Sequence, residues 1–199
     1  MIKLKQLLLE AKAPDIFIPR RMEDRIERLI KQYIRNGSKG NLNLSYMNLT
    51  VLPEILKNVS VDGNFSCSNN KLTSLVGAPK SVGGNFWCSY NKLTSLDGAP
   101  NTVGGDFYCG DNKLTSLTGA PKTVGGDFSC IDNKLTTLKG SPSSVGGHFS
   151  CRYNKLKSLE GAPKFVGGDF FCGNNIVQFT NAQVRAVCDV KRYIHVWLN

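Results

Sequence analysis

Between residues 65 and 175 the apolar positions return on a fixed beat of 21 residues, too long for the turn of one helix or the alternation of one strand. Phenylalanine stands at positions 65, 86, 107, 128, 149 and 170, and cysteine follows two residues later in every case. The plainest copy, NKLTSLTGAPKTVGGDFSCID, runs from Asn112 to Asp132. The phrase opens again at Asn70, Asn91, Asn133 and Asn154, and a copy beginning at Asn175 breaks off. Such a period predicts a solenoid, in which each unit buries its apolar side only against its neighbours. Phe-x-Cys predicts a short strand with alternate residues pointing in and out. Leu93 and Leu96 would fill the coil, and Asn91 would satisfy backbone groups at the turn. Gly83 and Gly84 would allow a tight or positive-φ turn, and Pro79 would fix the return path.

Read from the phenylalanine, F-x-C-x-x-N-x-L-x-x-L resembles the leucine-rich repeat, with Phe and Cys in two strand positions usually held by leucine. The resemblance covers residues 42–177. It implies a repeat solenoid whose short parallel strands stack in one curved sheet, with a mostly irregular convex side. One departure is that Val82, Val103 and Val124 precede a Gly-Gly pair, which predicts a modified turn into the strand. The GAP…VGG wording is similar to repeats in proteins of large contractile-tailed bacteriophages.

Four segments follow. Residues 1–19 form an N-terminal extension. Its start, MIKLKQLLLE, resembles the capsid-targeting propeptides of contractile-tailed phages, which implies a candidate cleavage site between Glu10 and Ala11; a frayed helical turn is the plainer reading. Residues 20–40 carry Met22, Ile26, Leu29, Ile30, Tyr33 and Ile34 at helical spacing, which predicts an amphipathic N-capping helix stopped at Gly37. Residues 41–174 are the solenoid, with an irregular first copy in which Met47 replaces the asparagine. Residues 175–199 predict a C-terminal cap. It is read as a helix entered through a Thr180–Gln183 capping box, then a strand in which Ile194, Val196 and Leu198 alternate with Tyr193, His195 and Trp197.

Charge changes this picture only at the ends. The net charge is +10, but residues 1–40 hold ten Lys/Arg against five Asp/Glu, whereas the solenoid holds twelve against nine. Six of the seven cysteines lie one repeat apart inside predicted strands, with no C-x-x-C pair. They read as small buried apolar residues in a reducing compartment rather than as a disulfide or metal framework. No apolar run is long enough for a membrane span. The Gly-Gly turns lack the G-K-[ST] ending of a phosphate loop. His148 and His195 lie far apart in sequence and beside no nucleophile, so neither a catalytic residue nor a cofactor is expected. Leucine-rich repeats also occur in secreted ubiquitin-ligase effectors of enteric bacteria, but these 199 residues leave no room for the catalytic domain that follows the repeats there.

Variation among near-identical copies points to function. It falls beside and between the strand residues, where side chains would project from the concave face. Trp87, Tyr90, Tyr108, Tyr153 and Phe171 stand there amid Asp106, Asp111, Asp127, Asp132 and Asp169, with Arg152 among them. Exposed aromatics ringed by charge are the material of interface hot spots. The expectation is a monomeric, non-enzymatic module that binds a protein, in a host cytoplasm or a virion. Two alternatives stand beside it. One is a virion internal or structural protein packaged through its N-terminal segment. The other, disfavoured, is a nucleic-acid binder that uses Lys71, Lys92, Lys113, Lys134 and Lys155 as one column and Lys80, Lys122 and Lys164 as a second.

Overall fold

A computed structural model describes residues 20–197, so the candidate propeptide and its Glu10–Ala11 bond lie outside the described residues. The chain is a parallel solenoid of about seven turns. Each turn lays down two strands of two residues, and like strands of successive turns pair in parallel. The phenylalanine strands form one eight-stranded sheet, from Leu42–Asn43 through Phe65–Ser66, Phe86–Trp87, Phe107–Tyr108, Phe128–Ser129, Phe149–Ser150 and Phe170–Phe171 to Ile194–His195. Where the sequence predicts one sheet, a second is present. Ser60–Val61, Ser81–Val82, Thr102–Val103, Thr123–Val124, Ser144–Val145, Phe165–Val166 and Asp189–Val190 make a seven-stranded ladder of their own. The valines anchor it because each is buried and lies in register with the next.

Gly-Gly separates the two strands of a turn for a reason other than the expected one. Neither Gly83 nor Gly84 has positive φ; the left-handed glycines of the repeats lie elsewhere, at Gly77, Gly98, Gly119, Gly140 and Gly161. Space is the constraint. A Cβ on Gly104 would lie 2.1 Å from the carbonyl oxygen of Gly83 one turn earlier, backbone against backbone. The rungs approach so closely there that no side chain fits.

Inside, six phenylalanine rings form one column with centroids 5.0–5.6 Å apart. The cysteines stand behind them, buried and free; Cys88, Cys109, Cys130 and Cys151 donate from Sγ to a carbonyl of the next turn. Burial pushes every one of these thiols above its ordinary ionisation range, Cys172 to about 12 and Cys188 to about 11. The repeat asparagines tie turn to turn. Asn112 Oδ1 accepts from the N–H of Leu93 at 3.0 Å, while Nδ2 donates to the carbonyls of Cys109, Gly110 and Cys88. Truncating that amide would strand several buried backbone groups, at a cost of about 1–3 kcal/mol.

At one end the helix Arg20–Arg35 sends Ile26, Ile30 and Tyr33 into the same core, and the Tyr33 hydroxyl donates to the carbonyl of Ser38. At the other end the helix Asn181–Arg185 has a capping box between Thr180 and Gln183 and buries Val184. The strand Ile194–His195 then adds the last rung of the phenylalanine sheet. Outside the strands most of each turn is irregular; Glu54–Asn58 forms a 3₁₀ helix in the first.

Candidate functional site

The outward residues of the phenylalanine sheet form columns, because register stacks equivalent positions at rung spacing, about 4.8 Å. The central column reads Asn43, Ser66, Trp87, Tyr108, Ser129, Ser150, Phe171 and His195. Trp87 and Tyr108 are therefore neighbours. Phe171 stacks on His195, with centroids 4.3 Å apart and planes at 8°. Between these two aromatic groups lie the small serines of two rungs. The result is a notch of about 350 Å³ walled by Tyr108 and Phe171, with Ser129 and Ser150 on its floor. Asp127 and His148 line one rim, and Ile131, Arg152 and Tyr153 the other.

The column before the phenylalanines has a role that the sequence reading missed. Each side chain in it accepts a hydrogen bond from the backbone N–H of its counterpart one turn on. Asn41 accepts from Asn64, Asn64 from Asn85, Asn85 from Asp106, Asp106 from Asp127, Asp127 from His148, His148 from Asp169, and Asp169 from Tyr193. The distances are 2.7–3.1 Å. Asp106 and Asp127 thus each commit one carboxylate oxygen to holding the solenoid. His148 continues the ladder through Nδ1, 2.8 Å from the Asp169 nitrogen. The same ring nitrogen lies 3.9 Å from the Asp169 carboxylate.

The second carboxylate oxygens face the open side. Asp106 Oδ2 accepts from the Tyr108 hydroxyl at 3.2 Å, and Asp169 Oδ2 lies 3.1 Å from His195 Nε2. Burial and the neighbouring carboxylates of Asp106 and Asp127 push the Tyr108 phenol up to about 12. At Asp169 burial acts upward, but the Tyr193 N–H, His195 and the nearby His148 outweigh it and hold the carboxyl below its usual range. The two histidines, distant in sequence, thus meet at one aspartate.

The remaining predicted residues lie in a third column. Tyr90, Asp111, Asp132 and Tyr153 occupy the turn after the strand in left-handed conformation, with φ of 50–57°. Burial and the Asp132 carboxylate raise the Asp111 pKa, and the Asp111 carboxylate raises that of Tyr90. The Arg152 guanidinium lies 5.2 Å from the centre of the Tyr153 ring. Of the eleven residues singled out from sequence, Tyr108, Asp127, Arg152, Tyr153 and Phe171 line the notch; Trp87, Tyr90, Asp106, Asp111, Asp132 and Asp169 do not. Ser129, Ser150, His148 and Ile131 were not singled out, although the change from large to small residues in the central column is visible in the repeat.

No group of three or more His, Cys, Asp or Glu side chains able to hold a metal occurs among the described residues. Nor, among them, is any helix long and apolar enough to cross a membrane.

No family model matches the sequence, and no curated protein matches it. Four chains of known structure do. One of them, the leucine-rich-repeat domain of a Shigella effector, aligns with a TM-score of 0.67 over 95% of this chain and 83% of its own, at 20% sequence identity. The fold is therefore a leucine-rich-repeat-like solenoid. At that identity the likeness concerns the fold alone, and the side chains of the face have to be read from this chain.

Proposed function

We propose that this protein is a non-enzymatic interaction module that holds a protein partner on the outer face of its phenylalanine sheet. The observation that carries this reading is the placement of tyrosine at Tyr90 and Tyr153. The first turn has tyrosine at this position too, Tyr46, while the other turns hold Asn69, Asp111, Asp132 and Asn174, which tolerate the left-handed backbone far better than an aromatic residue does. Exposed tyrosines at a strained position do nothing for the fold that asparagine would not do better. Strain of this kind collects at binding sites. Trp87, Tyr108 and Phe171 on the same face supply aromatic anchors. The GAP…VGG repeats support a setting in a phage-infected cell or in the particle itself, and mass spectrometry of purified particles separates the two.

The test is capture of the partner by wild type and by a Trp87→Ala/Tyr108→Ala double variant, both checked for an unchanged circular dichroism spectrum. Removing two anchors should weaken capture by about thirtyfold or more. Equal capture would refute the face as the interface.

A further inference from the structure

We infer that the notch between Tyr108 and Phe171 takes an arginine side chain from a basic segment of the partner. This rests on the reading of the phenylalanine sheet as the binding face and names what that face recognises.

Three observations converge. The first is shape. The central column changes from Tyr108 to Ser129 and Ser150 and back to Phe171, so an aromatic wall stands on each side of a gap two rungs wide. The walls stand three rungs, about 14 Å, apart, so a flat, weakly hydrated guanidinium stacks on one of them, whereas a compact ammonium leaves both unused. The second is a shortage of donors. The Tyr108 hydroxyl has one proton for two neighbouring carboxylates and gives it to Asp106, while His195 serves Asp169. Asp127 accepts the His148 N–H on Oδ1, and the donor beside its carboxylate is the Tyr108 hydroxyl, whose one proton is given to Asp106. The Asp127 carboxylate lies on the rim of the notch. A guanidinium brings several N–H groups in a plane, enough for Asp127 and a serine hydroxyl together. The third is sign. The chain is strongly basic, yet this face carries Asp106, Asp111, Asp127, Asp132 and Asp169 against Arg152. Long-range charge repels a basic partner, so attraction is confined to a cation that reaches this face.

Arg152 does not cancel the site. Asp127 lies in the column just before the phenylalanines, and Arg152 in the column three residues after them, on the opposite rim. Columns four positions apart stand roughly 13 Å from one another on extended backbone, and the Arg152 guanidinium is turned over the Tyr153 ring. The notch is therefore bipolar: the partner's arginine lies at the Asp127 end, and Arg152 is left for backbone carbonyls of the same segment.

The test uses N-acetyl-arginine amide as the probe, followed by amide chemical shifts of the ¹⁵N-labelled protein, with the uncharged isostere N-acetyl-citrulline amide alongside. The arginine probe should give saturable shifts at Ser129, Ser150 and His148, and the citrulline probe should bind at least about tenfold more weakly. Asp127→Asn keeps an oxygen that accepts from the His148 N–H, as Asn64 and Asn85 do in their own turns, so the ladder survives. That variant should lose about tenfold in affinity for the arginine probe, and Ser150→Trp, which fills the floor, should abolish binding. Absence of shifts, equal binding of citrulline, or unchanged affinity in Asp127→Asn would each overturn the inference. Partner capture lost in Trp87→Ala/Tyr108→Ala but unchanged in Asp127→Asn would keep the interface and remove the arginine from it.

Discussion

Tyr153 sits at φ 54° and is 43% exposed, in a position where Asp132 and Asn174 serve neighbouring turns. Only glycine, asparagine and aspartate enter this region cheaply, because a short polar side chain can bond locally while a bulky one crowds the backbone. Tyr153→Asn should therefore stabilise the protein by about 1 kcal/mol, read as a higher urea midpoint, while weakening partner capture. A loss of stability would show that the Tyr153 ring, with Arg152 over it, contributes more to the fold than its backbone strain costs. The same scale separates two kinds of aspartate. Asp106 and Asp127 hold the ladder with one oxygen and face outward with the other, whereas Asp132 is simply exposed.

The unit of this fold is the rung, and its tolerance is set where backbones touch. The Gly-Gly column is the tightest place. Adding one methyl at Gly104 meets the Gly83 carbonyl, which cannot move without separating two turns. Gly104→Ala should cost about 3 kcal/mol in chemical denaturation, at the upper end of ordinary overpacking. Ser81→Ala, on the outer side of the adjacent strand, should change stability by less than about 0.5 kcal/mol. Equal effects would mean that the rungs are more loosely stacked than the valine sheet indicates. Two-residue strands also explain why this sheet escaped the sequence reading. A strand so short shows no alternation, and its flanking glycines read as a turn.

Across the whole molecule the buried thiols set a limit at alkaline pH. Cys67, Cys88, Cys109, Cys130 and Cys151 are held protonated by burial, well above the ordinary 9.0, while the unfolded chain ionises freely. At alkaline pH the folded state then binds more protons than the unfolded one, so stability is intact below about pH 8.5 and falls as pH rises. Each thiol contributes about 1.4 kcal/mol per pH unit, and with Cys172 and Cys188, also raised, the seven together contribute on the order of 10 kcal/mol per unit. Unfolding followed by circular dichroism should set in at about pH 10, and Cys109→Ala should make the dependence shallower by about one-seventh. Tyr108 adds to the trend with the same sign. A profile that stays flat to about pH 11 would mean that solvent reaches the cysteine column.

Much of this architecture is legible in the chain itself. A strict 21-residue return of Phe, Cys, Asn and Leu leaves few ways to bury those residues other than by coiling turn on turn, which also sends the unlike residues of each turn outward. Periodicity says which residues share an environment, because it repeats the environment with the sequence. It does not say what lies across a rung boundary. The hydrogen bond from one turn's N–H to the preceding turn's Asp or Asn, the serine-floored notch and the meeting of His148 and His195 at Asp169 all depend on register between turns. Register is fixed by the stacked phenylalanines and the glycine contacts, and so only the tertiary structure decides it.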